Sequence, residues 1–166
     1  LDKFLSPPLF PMDRSIFSKN TNFIEFKVGE EINLKNNIKC KTMPLPHPGL
    51  NTAFRMCSDN FDFVYASDVE AEQSSTIEDI AMFSSNTQYV FIDSSYTDKE
   101  LEERVGWGHL SYQQVIDLAK KLKNSKVLIF HHDFFRSDKE LDEILSNVLT
   151  KSNNLSVCKE LSEFKF

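Results

Sequence analysis

Hydrophobic and polar positions alternate along the front of the chain and then change period. Phe23-Ile24-Glu25-Phe26-Lys27-Val28 alternates in part and predicts a strand, closed by a turn at Gly29-Glu30-Glu31. From Ile38 to Met43 the alternation is regular, with Ile38, Cys40 and Thr42 on one face and Lys39, Lys41 and Met43 on the other. Pro44 to Gly49 reads as a loop. Thr52 to Cys57 and Phe61 to Ala66 are short strand-like runs around Ser58-Asp59-Asn60, which predicts a hairpin. The first twenty residues, with Ser6-Pro7-Pro8 and Pro11, read as extended or loop structure.

Beyond residue 70 the pattern becomes helical between apolar runs. Ser75 to Phe83 predicts a helix. Tyr89-Val90-Phe91-Ile92 and Val127-Leu128-Ile129-Phe130 are continuous apolar runs of the kind found in strands buried on both faces. Thr97 with Glu100, Ser111 with Gln114 and Ser137 with Glu140 are capping boxes, each opening a helix. The second helix places Val115, Ile116, Ala119 and Leu122 on one face. The third aligns Leu141, Ile144, Leu145, Val148 and Leu149. Leu155 to Lys159 predicts a last strand. Strands first, then helices alternating with strands, predict an α/β fold of sheet layers covered by helices, in a single domain over residues 1–166 without repeats.

Composition narrows the class. The chain has 166 residues, 40% hydrophobic and 27% charged, enough to bury a core without disulfide staples. Phenylalanine is used heavily, at 15 positions, whereas 4 glycines and 6 prolines exclude collagen-like and low-complexity readings. No apolar run approaches the roughly 18–20 residues of a membrane span. No basic segment leads into an apolar stretch at the N-terminus, so a cytoplasmic location is expected. A net charge of −6 argues against non-specific binding to nucleic-acid backbones but is compatible with a metal-mediated phosphate site. Cys40, Cys57 and Cys158 have no zinc-ribbon spacing and read as buried free thiols.

Candidate chemistry gathers at strand ends. His47 follows the run ending at Met43, Asp68 the run ending at Ala66, Asp93 the run ending at Ile92 and His131 the run ending at Phe130. Each alone reads as a solvated loop residue. Together they form a candidate metal site, because α/β enzymes place sites at strand ends and imidazoles with carboxylates are the ligand set of zinc, manganese or iron.

The residues around these positions carry a resemblance. His47-Pro48-Gly49 running into Thr52-Ala53-Phe54-Arg55 resembles the third motif of the metallo-β-lactamase superfamily, and Tyr65-Ala66-Ser67-Asp68 its fourth. Gly106-Trp107-Gly108-His109-Leu110-Ser111 and Val127-Leu128-Ile129-Phe130-His131-His132-Asp133 are similar to its closing motifs. Ser6-Pro7-Pro8-Leu9-Phe10-Pro11 and Asp93-Ser94-Ser95-Tyr96-Thr97-Asp98 resemble the branch near the tRNA 3′-processing ribonucleases and the cyclic-nucleotide and phosphonate phosphodiesterases.

The resemblance implies a four-layer αββα sandwich and two-metal hydrolysis, in which two divalent ions, zinc or else manganese or iron, generate a bridging hydroxide. It implies His47 as a ligand of one metal, Asp68 as the bridge between two and His131 as a ligand of the second, with either His131 or His132 able to fill that place. It implies His109 as proton donor and Asp93 as the carboxylate that orients it. The implied substrate is a small phosphodiester or nucleotide, with RNA as a second class. The superfamily's His-x-His-x-Asp-His run is missing from these 166 residues. In relatives it precedes the Ser-Pro-Pro-like segment, so it is expected upstream of Leu1 and the chain is expected to be the C-terminal part of the fold. The competing expectation is a truncated, non-catalytic unit that pairs with another chain, or with itself as a homodimer, through an open sheet.

Overall fold

Among the described residues seven strands form one sheet, each hydrogen-bonded to its neighbour in sequence. The structure, a computed structural model, describes residues 7–9, 21, 23–71 and 75–165. The strands are β1 (Glu31–Asn33), β2 (Lys39–Leu45), β3 (Asn51–Cys57), β4 (Asp62–Ala66), β5 (Tyr89–Asp93), β6 (Lys126–Phe130) and β7 (Leu155–Val157). β1 to β4 pair antiparallel. β4 to β7 pair parallel. The connections follow from this difference. β3 turns into β4 within a few residues, where the Ser58 N–H donates to the Phe61 carbonyl at 2.8 Å. Parallel neighbours need crossovers. These are α1 (Ser75–Phe83), then α2 (Asp98–Glu102) and α3 (Tyr112–Lys121), then α4 (Asp138–Val148) with a 3-10 turn at Leu149–Lys151.

The expected caps are all present: Thr97, Ser111 and Ser137 each accept from the backbone three residues on, with the reciprocal bond from Glu100, Gln114 and Glu140. Register then sets the core. Val64, Val90, Val127 and Leu155 lie side by side on one face of the sheet, followed by Ala66, Ile92 and Ile129. They cluster with Ile77 and Ile80 of α1, Val115 and Leu118 of α3, and Leu145 and Val148 of α4. The opposite face explains the phenylalanine usage. Phe54, Tyr65 and Phe91 are in register there. Ring contacts link Phe63 to Phe91 at 5.8 Å, Tyr65 to Phe130 at 5.1 Å and Phe91 to Phe164 at 5.3 Å. One sheet with a helical layer on one side and an aromatic layer on the other is the αβ half of a four-layer αββα sandwich.

Two expectations are corrected. Residues 23–28 are not a strand, and the first strand is Glu31–Asn33. The turn bond from Glu30 N–H to the Lys27 carbonyl separates the two, and only the segment after it reaches the β2 edge. Of the three free thiols only Cys40 is buried. Of the Ser6–Pro11 motif, Ser6, Phe10 and Pro11 lie outside the described residues. Among the described residues no helix is long and apolar enough to cross a membrane.

Candidate metal centre

The parallel register brings β4, β5 and β6 to a common edge, since Ala66, Ile92 and Ile129 are direct neighbours. The residues just past that line are Asp68, Asp93 and His131. The Ser94 N–H donates to the Phe130 carbonyl at 3.1 Å and holds the β5 and β6 exits together. Asp68 and His131 both take left-handed backbone angles, φ 53° and 60°. Such angles are uncommon without glycine, and here each occurs where the chain turns out of its strand. Asn51 at the start of β3 secures the first turn by donating to the carbonyls of Ser67 (2.5 Å) and Asp68 (3.1 Å).

Asp93 is the hub. Its carboxylate has 0% exposure, so donors must replace water around it. His109 Nδ1 lies 2.7 Å from its Oδ2 and His131 Nδ1 3.2 Å from the same oxygen. The Asp68 N–H adds a third contact at 3.1 Å. A carboxylate only accepts, so both rings present Nδ1–H to Asp93 and leave Nε2 facing outward. The Asp93 hydrogen bond raises the His131 pKa, against burial, with the charges of Asp93 and Asp68 adding to it. A second tie comes from Ser95, whose hydroxyl donates to the His131 carbonyl at 2.5 Å. Arg136 bonds the Ser95 carbonyl at 3.3 Å and the Glu100 carboxylate at 2.8 Å.

His109 arrives on a glycine loop. Gly106 and Gly108 have φ of 83° and 86°. Their N–H groups donate to one buried carboxylate, Glu70, at 2.5 and 2.9 Å. His47 lies against this loop, and its ring centroid is 6.4 Å from that of His109. The Gly49 N–H donates to His47 Nδ1 at 3.1 Å, so Nε2 is the nitrogen left for a ligand.

Asp68, Asp93, His109 and His131 thus converge, with one ligand atom from each lying within 4.8 Å of all the others. His47 stands beside this group rather than in it. His132 turns both ring nitrogens away from solvent, beside the Ser94 backbone, and burial lowers its pKa. The sequence reading missed Glu70. The available signal was the Gly-x-Gly loop itself, whose bare N–H groups need an acceptor.

The donor set fits a divalent cation. Imidazole Nε2 and carboxylate oxygen suit zinc, manganese or iron. Asp68 Oδ1 and His131 Nε2 face one another at 3.6 Å. That is close to the roughly 3.3 Å separating two ligands held about 2.0–2.1 Å from one tetrahedral ion. The Nδ1–H bond from His131 to Asp93 is the kind of outer contact that fixes an imidazole in the tautomer a metal needs, and the bond from His109 fixes its ring in the same way.

A family model described as a beta-lactamase superfamily domain matches residues 7–132. No curated protein sequence matches the chain. Solved structures share the fold. The metallo-beta-lactamase fold protein YhfI from Bacillus subtilis is 18% identical with a TM-score of 0.63, covering 89% of this chain and 58% of that one. A diphosphatase of the PhnP family is 15% identical with a TM-score of 0.59, covering 86% and 48%. CmlA, a diiron beta-hydroxylase from Streptomyces venezuelae, is 11% identical with a TM-score of 0.61, covering 88% and 35%. The chain therefore spans about half the length of the first two structures, 58% and 48%.

Proposed function

This chain belongs to the beta-lactamase superfamily, and from that premise we propose that it carries the C-terminal part of a metal-dependent phosphodiesterase with a dinuclear centre. The carrying observation is the Asp68–His131 pair facing across 3.6 Å, with both histidines of the group oriented by one buried carboxylate. His47, Asp68 and His131 would be the residues of this chain that hold the ions. The ligands that these residues do not supply would be those of a His-x-His-x-Asp-His run, which these 166 residues do not contain. Two divalent ions would lower the pKa of water and offset the charge of a phosphodiester. The similarity to a PhnP-family diphosphatase supports phosphate-ester chemistry, and the similarity to a diiron enzyme keeps iron beside zinc and manganese. His109 then delivers a proton from Nε2 to the leaving oxygen, while Asp93 holds its Nδ1–H and stabilises the protonated ring. The substrate class is a small phosphodiester such as a cyclic nucleotide, with RNA second.

Two measurements test this. Elemental analysis after loading is expected to find metal in the wild-type chain and at least ten-fold weaker binding in D68A and H131A. In a form that includes the upstream segment, H109A is expected to keep its metal and hydrolyse bis(p-nitrophenyl) phosphate about 10²–10⁴-fold more slowly. No bound metal in either form would overturn the proposal. The aromatic face of the sheet favours a second reading, a non-catalytic unit that pairs through this face, as a homodimer or with another chain. A homodimer of the metal-free chain in sedimentation, dissociated by Tyr65→Lys, would support it.

A further inference from the structure

Glu70 makes three contacts that no role above requires. It is 4% exposed. Its N–H donates to the Pro46 carbonyl at 2.9 Å, on the loop that carries His47. Its Oε1 accepts from Gly106 at 2.5 Å and its Oε2 from Gly108 at 2.9 Å, on the loop that carries His109. Glu70 itself follows Asp68 by two residues. One residue therefore joins the segments that bring His47, Asp68 and His109 to the centre, through its backbone N–H toward the His47 loop and through its carboxylate toward the His109 loop.

The contact between the joined loops is close. A Cβ built on Gly108 would lie 2.1 Å from His47 Cδ2 and 2.5 Å from its Nε2, so the Gly108 backbone rests on the edge of the His47 ring that carries the free nitrogen. The positive φ of Gly106 and Gly108 lets both N–H groups reach the same carboxylate. Successive N–H groups bonded to an ionised carboxylate are the strong, directional kind of hydrogen bond, and a buried carboxylate deprived of them is left unsolvated.

We propose that Glu70 is a positioning residue: by clamping the Gly106-Trp107-Gly108 loop against the His47 ring, it sets the direction in which His47 Nε2 faces the centre. The proposal rests on the assignment of His47 to the site made above. A side chain that merely filled space would be replaced without consequence by glutamine, which has the same shape. A positioning carboxylate would not, because the glutamine amide turns an N–H toward one of the glycine N–H groups.

The test uses this chain with E70Q and E70A. Nuclear magnetic resonance reads the Overhauser contact between Gly108 Hα and His47 Hδ2 and the hydrogen exchange of the Gly106 and Gly108 amides. The amides of Val64, Val90 and Val127 report on the sheet. In E70A the contact is expected to disappear and glycine exchange to quicken at least ten-fold while the strand amides stay protected. E70Q is expected to fall between E70A and wild type. Zinc affinity, read by competition with a chromophoric chelator, is expected to fall about ten-fold in E70A. Wild-type behaviour of the contact and of both glycine amides in E70Q would overturn the proposal, and this variant decides alone if E70A does not fold. Wild-type protein that shows the contact but binds no zinc would overturn the function proposed above while supporting the placement of His47 by Glu70.

Discussion

Carboxylates organise this site, and the ways the buried Asp93 and the half-buried Glu100 are satisfied differ in consequence. Asp93 is met by imidazoles, so its partners are groups that themselves do chemistry. Glu100 is met by Arg136 and by the Thr97 hydroxyl and N–H, and it serves the loops around the site. Burial pushes the Glu100 carboxyl up, but the Arg136 hydrogen bond, the Thr97 bonds and the Arg136 charge outweigh it and hold the pKa at about 2. A folded pKa below the usual 4.5 stabilises the fold fully above that value, and the contribution fades as the pH falls toward about 2. Wild type is therefore expected to melt well above E100Q at pH 6, with the gap closing between pH 4.5 and about 2 in thermal melts followed by circular dichroism. A gap that stays constant across this window would show that Glu100 contributes no charge-dependent stability.

Elements differ in how they are held. The α4 cap is a local device, with Ser137 and Glu140 exposed and the cap bonds running between these two residues. Ser137→Ala is expected to cost about 1 kcal/mol by urea unfolding. Ile80 of α1, fully buried in the cluster beneath β4 and β5, is expected to cost about 2–5 kcal/mol when truncated to alanine. Equal losses would mean that α1 is not held by its buried face. The same difference explains what the sequence makes legible. Caps, the Ser58–Asn60 hairpin and the apolar runs of β5 and β6 are written within a few residues, and they were readable there. Asp68, Asp93 and His131 were readable as strand-end residues, but Asp93 serving two imidazoles depends on the β4–β5–β6 register. Glu70 reaches partners 36 and 38 residues away, beyond any local pattern. Residues 23–28 show the converse, because their alternation is not matched by pairing with any strand of the sheet.

On the scale of the molecule, the centre joins loops from β2–β3, β4–α1, β5–α2, α2–α3 and β6–α4, so metal occupancy should stabilise the fold as a whole. Zinc at 100 times its dissociation constant is expected to add about 2.7 kcal/mol to unfolding, and about 1.4 kcal/mol or less in D68A, whose binding is at least ten-fold weaker, by denaturant titration with and without metal. Equal stability in both conditions would place the ion outside the folded centre. The strictly sequential strand order has a further consequence, one of timing. During synthesis each strand finds its neighbour already waiting as the sheet's open edge, so the sheet can grow in the direction of translation without threading a late strand into an early gap. His47, Asp68 and Asp93 would emerge before β6, and His131 would leave the ribosome last of the group. A nascent chain would acquire its metal only after β6 had docked, making ion capture a signal that vectorial assembly of the centre is finished.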